Sequence, residues 1–148
     1  MNLFESLAIS GSALQAERQR SEIIAANMAN AETTRTEAGG PFHRREVVFE
    51  SHGASTFRLA LANTGVLRGP MPGSVHIAEV VDDPAPAVMR YQPGHPDANA
   101  EGYVAYPAIN PAAEMVDLMG SVRAYQLNAS AIAAAKQMIS QTIDILKS

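Results

Sequence analysis

Apolar positions recur most regularly in the last third of the chain. Met115, Leu118, Val122, Tyr125, Ala129, Ile132, Lys136, Ile139, Ile143 and Leu146 follow one another at intervals alternating between 3 and 4, and Lys136 alone is not apolar. This is the heptad seam of a long helix, with no Gly or Pro break after Gly120. Asn110 can cap its start, Pro111 suits the first helical position, and Glu114 and Asp117 put negative charge in the early turns. The spacing predicts a helix from Pro111 to Lys147, about 55 Å long at 1.5 Å per residue. A stripe of that length needs a partner helix of similar length.

The N-terminal stretch supplies one. Asn2 followed by Glu5 reads as a capping-box variant, and no Pro interrupts the segment up to Asn30. Leu3, Leu7, Leu14, Ile24 and Met28 fall on heptad positions, but Ser10, Glu17 and Ser21 occupy slots between them, so this stripe is the weaker one. Gly11, Ser12 and Ala13 form a narrow waist that another helix could approach. From Asn27 to Thr34, Asn and Thr replace the apolar pattern and the helix should end. Two readings stand side by side there: a helix stop with Asn in the left-handed conformation, or side-chain amides that contact a neighbouring chain.

Between these ends the texture changes, and most of the Gly and Pro falls here. Residues alternate from His43 to Glu50 and again from Val75 to Val81; Val88 to Gln92 and Gly102 to Tyr106 are shorter strand candidates. Turns are expected at Pro70-Met71-Pro72-Gly73, Asp82-Asp83-Pro84 and Pro93-Gly94-His95-Pro96. For Ser51 to Gly73 the pattern leaves strand, short helix and loop open.

The expected fold is therefore α+β: long antiparallel N- and C-terminal helices forming a coiled-coil-like pair, with a small antiparallel β domain inserted between them. Residues 1–33 and 111–148 would form a discontinuous helical domain, and 34–110 the insert. Pairing Asn30 with Pro111 and counting outward sets Lys136 near Glu5, which would offset the one charge in the seam. Two lone helices are marginal, so further faces carrying Met119, Met138 and Ala131 to Ala135 are expected to pack against other copies. The candidate assembly interface is Leu7, Leu14, Ile24, Met115, Leu118, Val122, Tyr125, Ile132, Ile139 and Ile143, with the amides of Asn27 and Asn30.

Composition narrows the function. A net charge of −4 and no basic run longer than Arg44-Arg45 argue against nucleic acid as a partner. With no cysteine there is no disulfide, thiolate metal site or cysteine nucleophile. No apolar run is long enough to span a bilayer, so membrane insertion is not expected, and Met-Asn-Leu-Phe-Glu does not open like a cleaved secretion signal. His43, His52, His76 and His95 are spaced 9, 24 and 19 apart, which fits no metal-ligand pattern, and no phosphate loop, HExxH or nucleophile elbow is present. No enzyme activity, cofactor or metal is expected.

Four motifs carry a resemblance to a known family. Gly11-Ser12-Ala13-Leu14 through Asn27-Met28-Ala29-Asn30-Ala31 is similar to the rod and hook signature of the bacterial flagellar axial proteins. Pro41-Phe42-His43-Arg44-Arg45-Glu46-Val47-Val48-Phe49 looks like the first strand of the proximal-rod members of the basal-body rod family. Pro93-Gly94-His95-Pro96, Gly102-Tyr103-Val104 and Pro107-Ala108-Ile109-Asn110-Pro111 resemble the approach to their last helix. Glu114-Met115-Val116-Asp117-Leu118-Met119, Arg123-Ala124-Tyr125-Gln126-Leu127-Asn128 and Lys136-Gln137-Met138 resemble the signature of that helix. The resemblance implies a structural subunit of the proximal rod of the flagellar basal body, spanning the periplasm. Such a subunit would polymerise through its terminal helices into a tubular driveshaft that transmits torque from motor to hook. The partners implied are other copies, other rod proteins, basal-ring and hook-side axial proteins, and the flagellar type III export apparatus, which carries such subunits out without a cleaved signal peptide. A soluble helical-hairpin adaptor or export chaperone of a secretion system is the competing reading, and the long Pro/Gly-rich insert argues against it.

Overall fold

Helix α1 (Leu3–Ala29) begins the fold, strands β1 (Arg45–Ser51), β2 (Val75–Asp82), β3 (Val88–Tyr91) and β4 (Tyr103–Tyr106) follow, and α2 (Pro111–Lys147) closes it. The structure, a computed structural model, describes residues 3–51, 53 and 73–147. The two-helix, four-strand order is the α+β arrangement expected from the patterning, and each strand lies within a residue or two of its predicted place. The capping role of Asn2, and nearly all of the segment whose conformation the pattern left open, lie outside the described residues.

Local chemistry explains the boundaries. At the start of α2, Asn110 Oδ1 accepts hydrogen bonds from the backbone N–H of Ala112 at 3.0 Å and Ala113 at 3.5 Å, as the cap reading requires. At the end of α1 the stop is achieved differently from the left-handed cap considered above. No described non-glycine residue has positive φ. Instead the Asn30 amide returns to Ala26 O at 2.9 Å, and Thr33 Oγ1 donates to Asn30 Oδ1 at 3.1 Å. Ala26 O thus accepts both the backbone N–H of Asn30, at 3.1 Å, and its side-chain amide, which closes the last turn without the left-handed conformation.

The strands form two two-stranded antiparallel ribbons, β1 with β2 and β3 with β4. In the second, Val88 faces Tyr106 and Tyr91 faces Tyr103. Its long connection is built from tight turns, with Asn99 Oδ1 accepting from the N–H of Glu101 and Tyr103 at 3.0 and 2.9 Å. Gly102 closes it at φ +81°, where an added Cβ would stand 2.9 Å from Tyr91 Cε2. Only glycine fits both the dihedral and the space. Tyr91 and Tyr103 then meet edge to face at 5.3 Å between centroids.

By contact the chain divides into two compact units. One holds residues 1–19, 49–78 and 121–148; the other holds 20–48 and 79–120. Within the first, Ser12 Oγ accepts the backbone N–H of Val75 at 3.0 Å while donating to Ile9 O at 2.7 Å. Within the second, the closing end of α1 meets the opening end of α2 through a hydrogen bond from Asn27 to Glu114. That contact has the register that pairing Asn30 with Pro111 requires.

The inward face of α2 is not the one the heptad seam predicts. Met115, Val122, Tyr125 and Ile143, all seam members, are exposed, whereas Glu114, Ser121 and Ala135 are buried and Asn128 is half-buried. The covered row therefore lies one residue back from the seam's leading row, a rotation of about 100°. Part of the reason is geometric. A seam of period 3.5 on a helix of period 3.6 drifts by about 20° per heptad. Of its members Leu118, Ile132 and Ile139 are half-buried, while Met115, Val122 and Ile143 are exposed. Lys136 is exposed, so it does not carry its charge into a core.

Candidate functional site

Three segments of the second unit converge on one buried carboxylate. Glu114, in the first turns of α2, has a side chain that is 1% exposed. Its Oε1 accepts from Arg44 Nε at 2.6 Å, and its Oε2 accepts from Asn27 Nδ2 at 3.1 Å. Both oxygens are thereby satisfied by donors, one of them a full cation, which is what a buried carboxylate needs. Its place near a helix N-terminus favours the negative charge further.

Asn27 works as a surrogate strand. Its Oδ1 accepts the backbone N–H of Arg45 at 2.9 Å, and its Nδ2 donates to the carbonyl of the same residue at 2.9 Å. The second Nδ2 hydrogen serves Glu114. A carboxamide is the side chain able to supply both halves of a backbone pair and a third bond besides. The first residue of β1 is thus pinned to α1, and the amide is 1% exposed. Within this chain the amide's polar atoms are engaged by Arg45 and Glu114.

Arg44, just before β1, is the hub. Beyond Glu114 it pairs with Glu46, reaches Asp117 Oδ2 at 3.7 Å and stands 4.0 Å from Asp83 Oδ2. The hydrogen bond to Glu114 is the chief influence holding the Arg44 guanidinium above its ordinary pKa, against the opposing effect of burial. Asp83 N–H donates to Arg44 O at 2.7 Å, and Asp83 Oδ1 accepts from Ala85 N, forming the predicted Asp-Asp-Pro turn. Arg45 lies over Phe42 at 5.5 Å from its centroid and 3.6 Å from Asp82.

The second feature is what this junction leaves outside. On α2, Met115 is 48% exposed, Met119 64%, Val122 43% and Tyr125 42%, with Val116, Leu127 and Met138 exposed as well. Of the remaining candidate interface residues, Leu7, Leu14, Asn30, Leu118, Ile132 and Ile139 are half-buried, Ile24 is buried, and Ile143 is exposed. Sequence reasoning missed Arg44 altogether and read Glu114 only as a helix-end charge. The available signal was that Glu114, Ser121, Asn128 and Ala135 recur every 7 residues, a polar and small row beside the apolar one.

His76 Nε2 lies 3.7 Å from Glu50, and His95 Nδ1 accepts from Asp97 N at 3.1 Å. Among the described residues no three His, Cys, Asp or Glu side chains gather as metal ligands, and no helix is long and apolar enough to cross a membrane. His52 lies outside the described residues.

Two long helices with an exposed apolar face, joined through β ribbons by an internal ion junction, define the architecture of an assembling structural subunit. Residues 7–35 match the family model described as flagella basal body rod protein, and residues 100–145 match that of the flagellar basal body rod FlgEFG protein C-terminal region. The chain is 37% identical to the flagellar basal-body rod protein FlgC of Bacillus subtilis (strain 168), over 99% of this chain and 100% of the relative. It is 34% identical to FlgC of Yersinia enterocolitica over 98% of each, and 33% identical to FlgC of Salmonella typhimurium over 98% and 96%. The chain belongs to the flagellar basal-body rod protein FlgC family. Asn27 and Glu114 lie inside the two matched regions; Arg44 lies between them.

Proposed function

We infer that this chain is a structural subunit of the flagellar basal-body rod, and that it assembles through the exposed apolar stripe of α2. Family membership over the full length supports the first statement. The observation that carries the second is that Met115, Met119, Val122 and Tyr125 stay outside although an inward position lies one residue away on the same helix. Exposed apolar surface of this extent on a structural protein marks a contact face.

On this reading the proximal rod is its place, and the terminal segments 1–33 and 111–148 form the helical layer of a tubular driveshaft with 34–110 projecting from it. Coiled-coil-like contacts form between subunits, where the seam of α2 finds the partner that it lacks within the chain. Leu7, Leu14, Asn30, Leu118, Ile132, Ile139 and Ile143 border those contacts, with Ile24 and Asn27 supporting them from inside. The other components are further copies, other rod proteins and the ring and hook-side proteins that adjoin them, and delivery is through the flagellar type III export apparatus. Torque passes through packed helix faces, with no catalytic group.

A deletion strain complemented with plasmid-borne chain tests this. Wild-type chain should restore swimming and co-purify with hook–basal bodies. Chain with Met119→Glu should be produced and folded yet absent from them. Full swimming with Met119→Glu and Val122→Glu together would overturn the stripe as the assembly face.

A further inference from the structure

We propose that the Arg44–Asn27–Glu114 junction is a rotational lock on α2, which holds the polar row inward and so keeps the chain from burying its own assembly face. The proposal rests on the reading of the stripe as that face. Met115 follows Glu114, and Val122 follows Ser121. Turning α2 about its axis by one residue, about 100°, would bring Met115 and Val122 to the positions that Glu114 and Ser121 occupy. At Met115 and Val122 burial of apolar surface favours that alternative, while farther along, the same turn would carry Lys136 to the place of Ala135, and the structure does not adopt it.

What opposes the turn is chemical. Glu114 is held from two sides, by Arg44 at 2.6 Å and Asn27 at 3.1 Å. Asn27 is itself fixed through both of its polar atoms to the backbone of Arg45. Rotating Glu114 away would strand a buried amide N–H and take from the Arg44 guanidinium its shortest bond to a buried carboxylate, and would place Met115 against both. A polar group at a buried helix position specifies one alignment at a cost in stability. The four-bond set is closed, and it spans α1, the segment before β1, and α2, so no one of these can turn alone. Replacing the charged members with apolar ones removes the preference and leaves burial to decide.

The natural chain has no cysteine, so single-cysteine reporters read the rotation directly. In the dilute purified chain, Met115→Cys should react quickly with a maleimide and Ser121→Cys slowly, because Met115 is 48% exposed and Ser121 0%. In the Arg44→Met, Glu114→Leu background the order should reverse, with Met115→Cys at least about tenfold slower and Ser121→Cys about tenfold faster than before. Unchanged rates in a folded variant, or a rise at both positions, would overturn the lock. Should the double variant not fold, the reporters are read with Glu114→Leu alone, in which Arg44 keeps Glu46, Asp83 and Asp117; the same reversal or its absence decides. Swimming assays separate the two claims. Reversed labelling with lost motility supports both, whereas reversed labelling with normal motility supports the lock and overturns the stripe as assembly face.

Discussion

Removing Arg44 and removing Glu114 should have unequal costs, although the two are partners in one ion pair. Arg44→Met leaves the Glu114 carboxylate, 1% exposed, with Asn27 Nδ2 as its remaining donor at 3.1 Å. Stranding one member of a buried pair costs about 3–5 kcal/mol. Glu114→Gln keeps the shape, and Arg44, whose side chain is 23% exposed, still has Glu46, Asp117 at 3.7 Å and Asp83 at 4.0 Å. That change forfeits one charge-assisted hydrogen bond, about 1.5–3 kcal/mol. Against a total of roughly 5–15 kcal/mol for a domain, Arg44→Met removes about a fifth or more of the stability and Glu114→Gln a smaller share. Combined, the two should cost less than their sum by ~1 kcal/mol or more, because the second removes the charge the first had stranded. Urea unfolding followed by helical circular dichroism reads all four proteins. The ordering should hold from neutral pH upward. The raised Arg44 pKa makes its contribution fully present below the ordinary guanidinium value and lost only as pH climbs through the folded value. Equal losses for the two single changes, or strict additivity in the double, would refute the reasoning.

Asn27→Asp should destabilise more than Asn27→Ala despite its closer shape, since a carboxylate would face the carbonyl of Arg45 and the carboxylate of Glu114, where the amide now donates; thermal unfolding of the two would show the order reversed if the amide were merely filling space. Gly102→Ala should cost about 1–3 kcal/mol, because the left-handed dihedral and the 2.9 Å approach to Tyr91 both oppose a Cβ; a cost within error of zero by chemical denaturation would show that the turn gives way freely. Asn110→Ala should cost about 1 kcal/mol through the lost cap on Ala112 N–H, and unchanged urea midpoints would contradict that. Met119→Glu, at a position 64% exposed, should leave monomer stability within about 0.5 kcal/mol while abolishing swimming; a large fall in stability would place Met119 in the chain's own core.

Much of this was legible from residues alone where the governing interactions are local. The cap at Asn110, the Pro that opens α2, the turn at Asp83 and the strand bounds depend on groups a few positions apart, and they lie where expected. The Arg44 hub was not legible. Its partners come from 2, 39, 70 and 73 positions along the chain, Glu46, Asp83, Glu114 and Asp117, and no spacing rule links residues so far apart. The Asn27 amide had two open readings, because a carboxamide bonds as readily to its own chain as to another, and no spacing rule points it to Arg45, 18 positions on.

Family, element order and the presence of a long apolar seam on α2 were determined by the sequence, because periodicity and short motifs survive without knowledge of contacts. Which way that seam faces was decided only by the tertiary structure. Heptad spacing states that apolar residues share a stripe, but rotation about the helix axis is set by what the neighbouring positions bind. Here Met115 and Val122 stand exposed beside a buried carboxylate held by a guanidinium and an amide, contacts that no heptad spacing encodes.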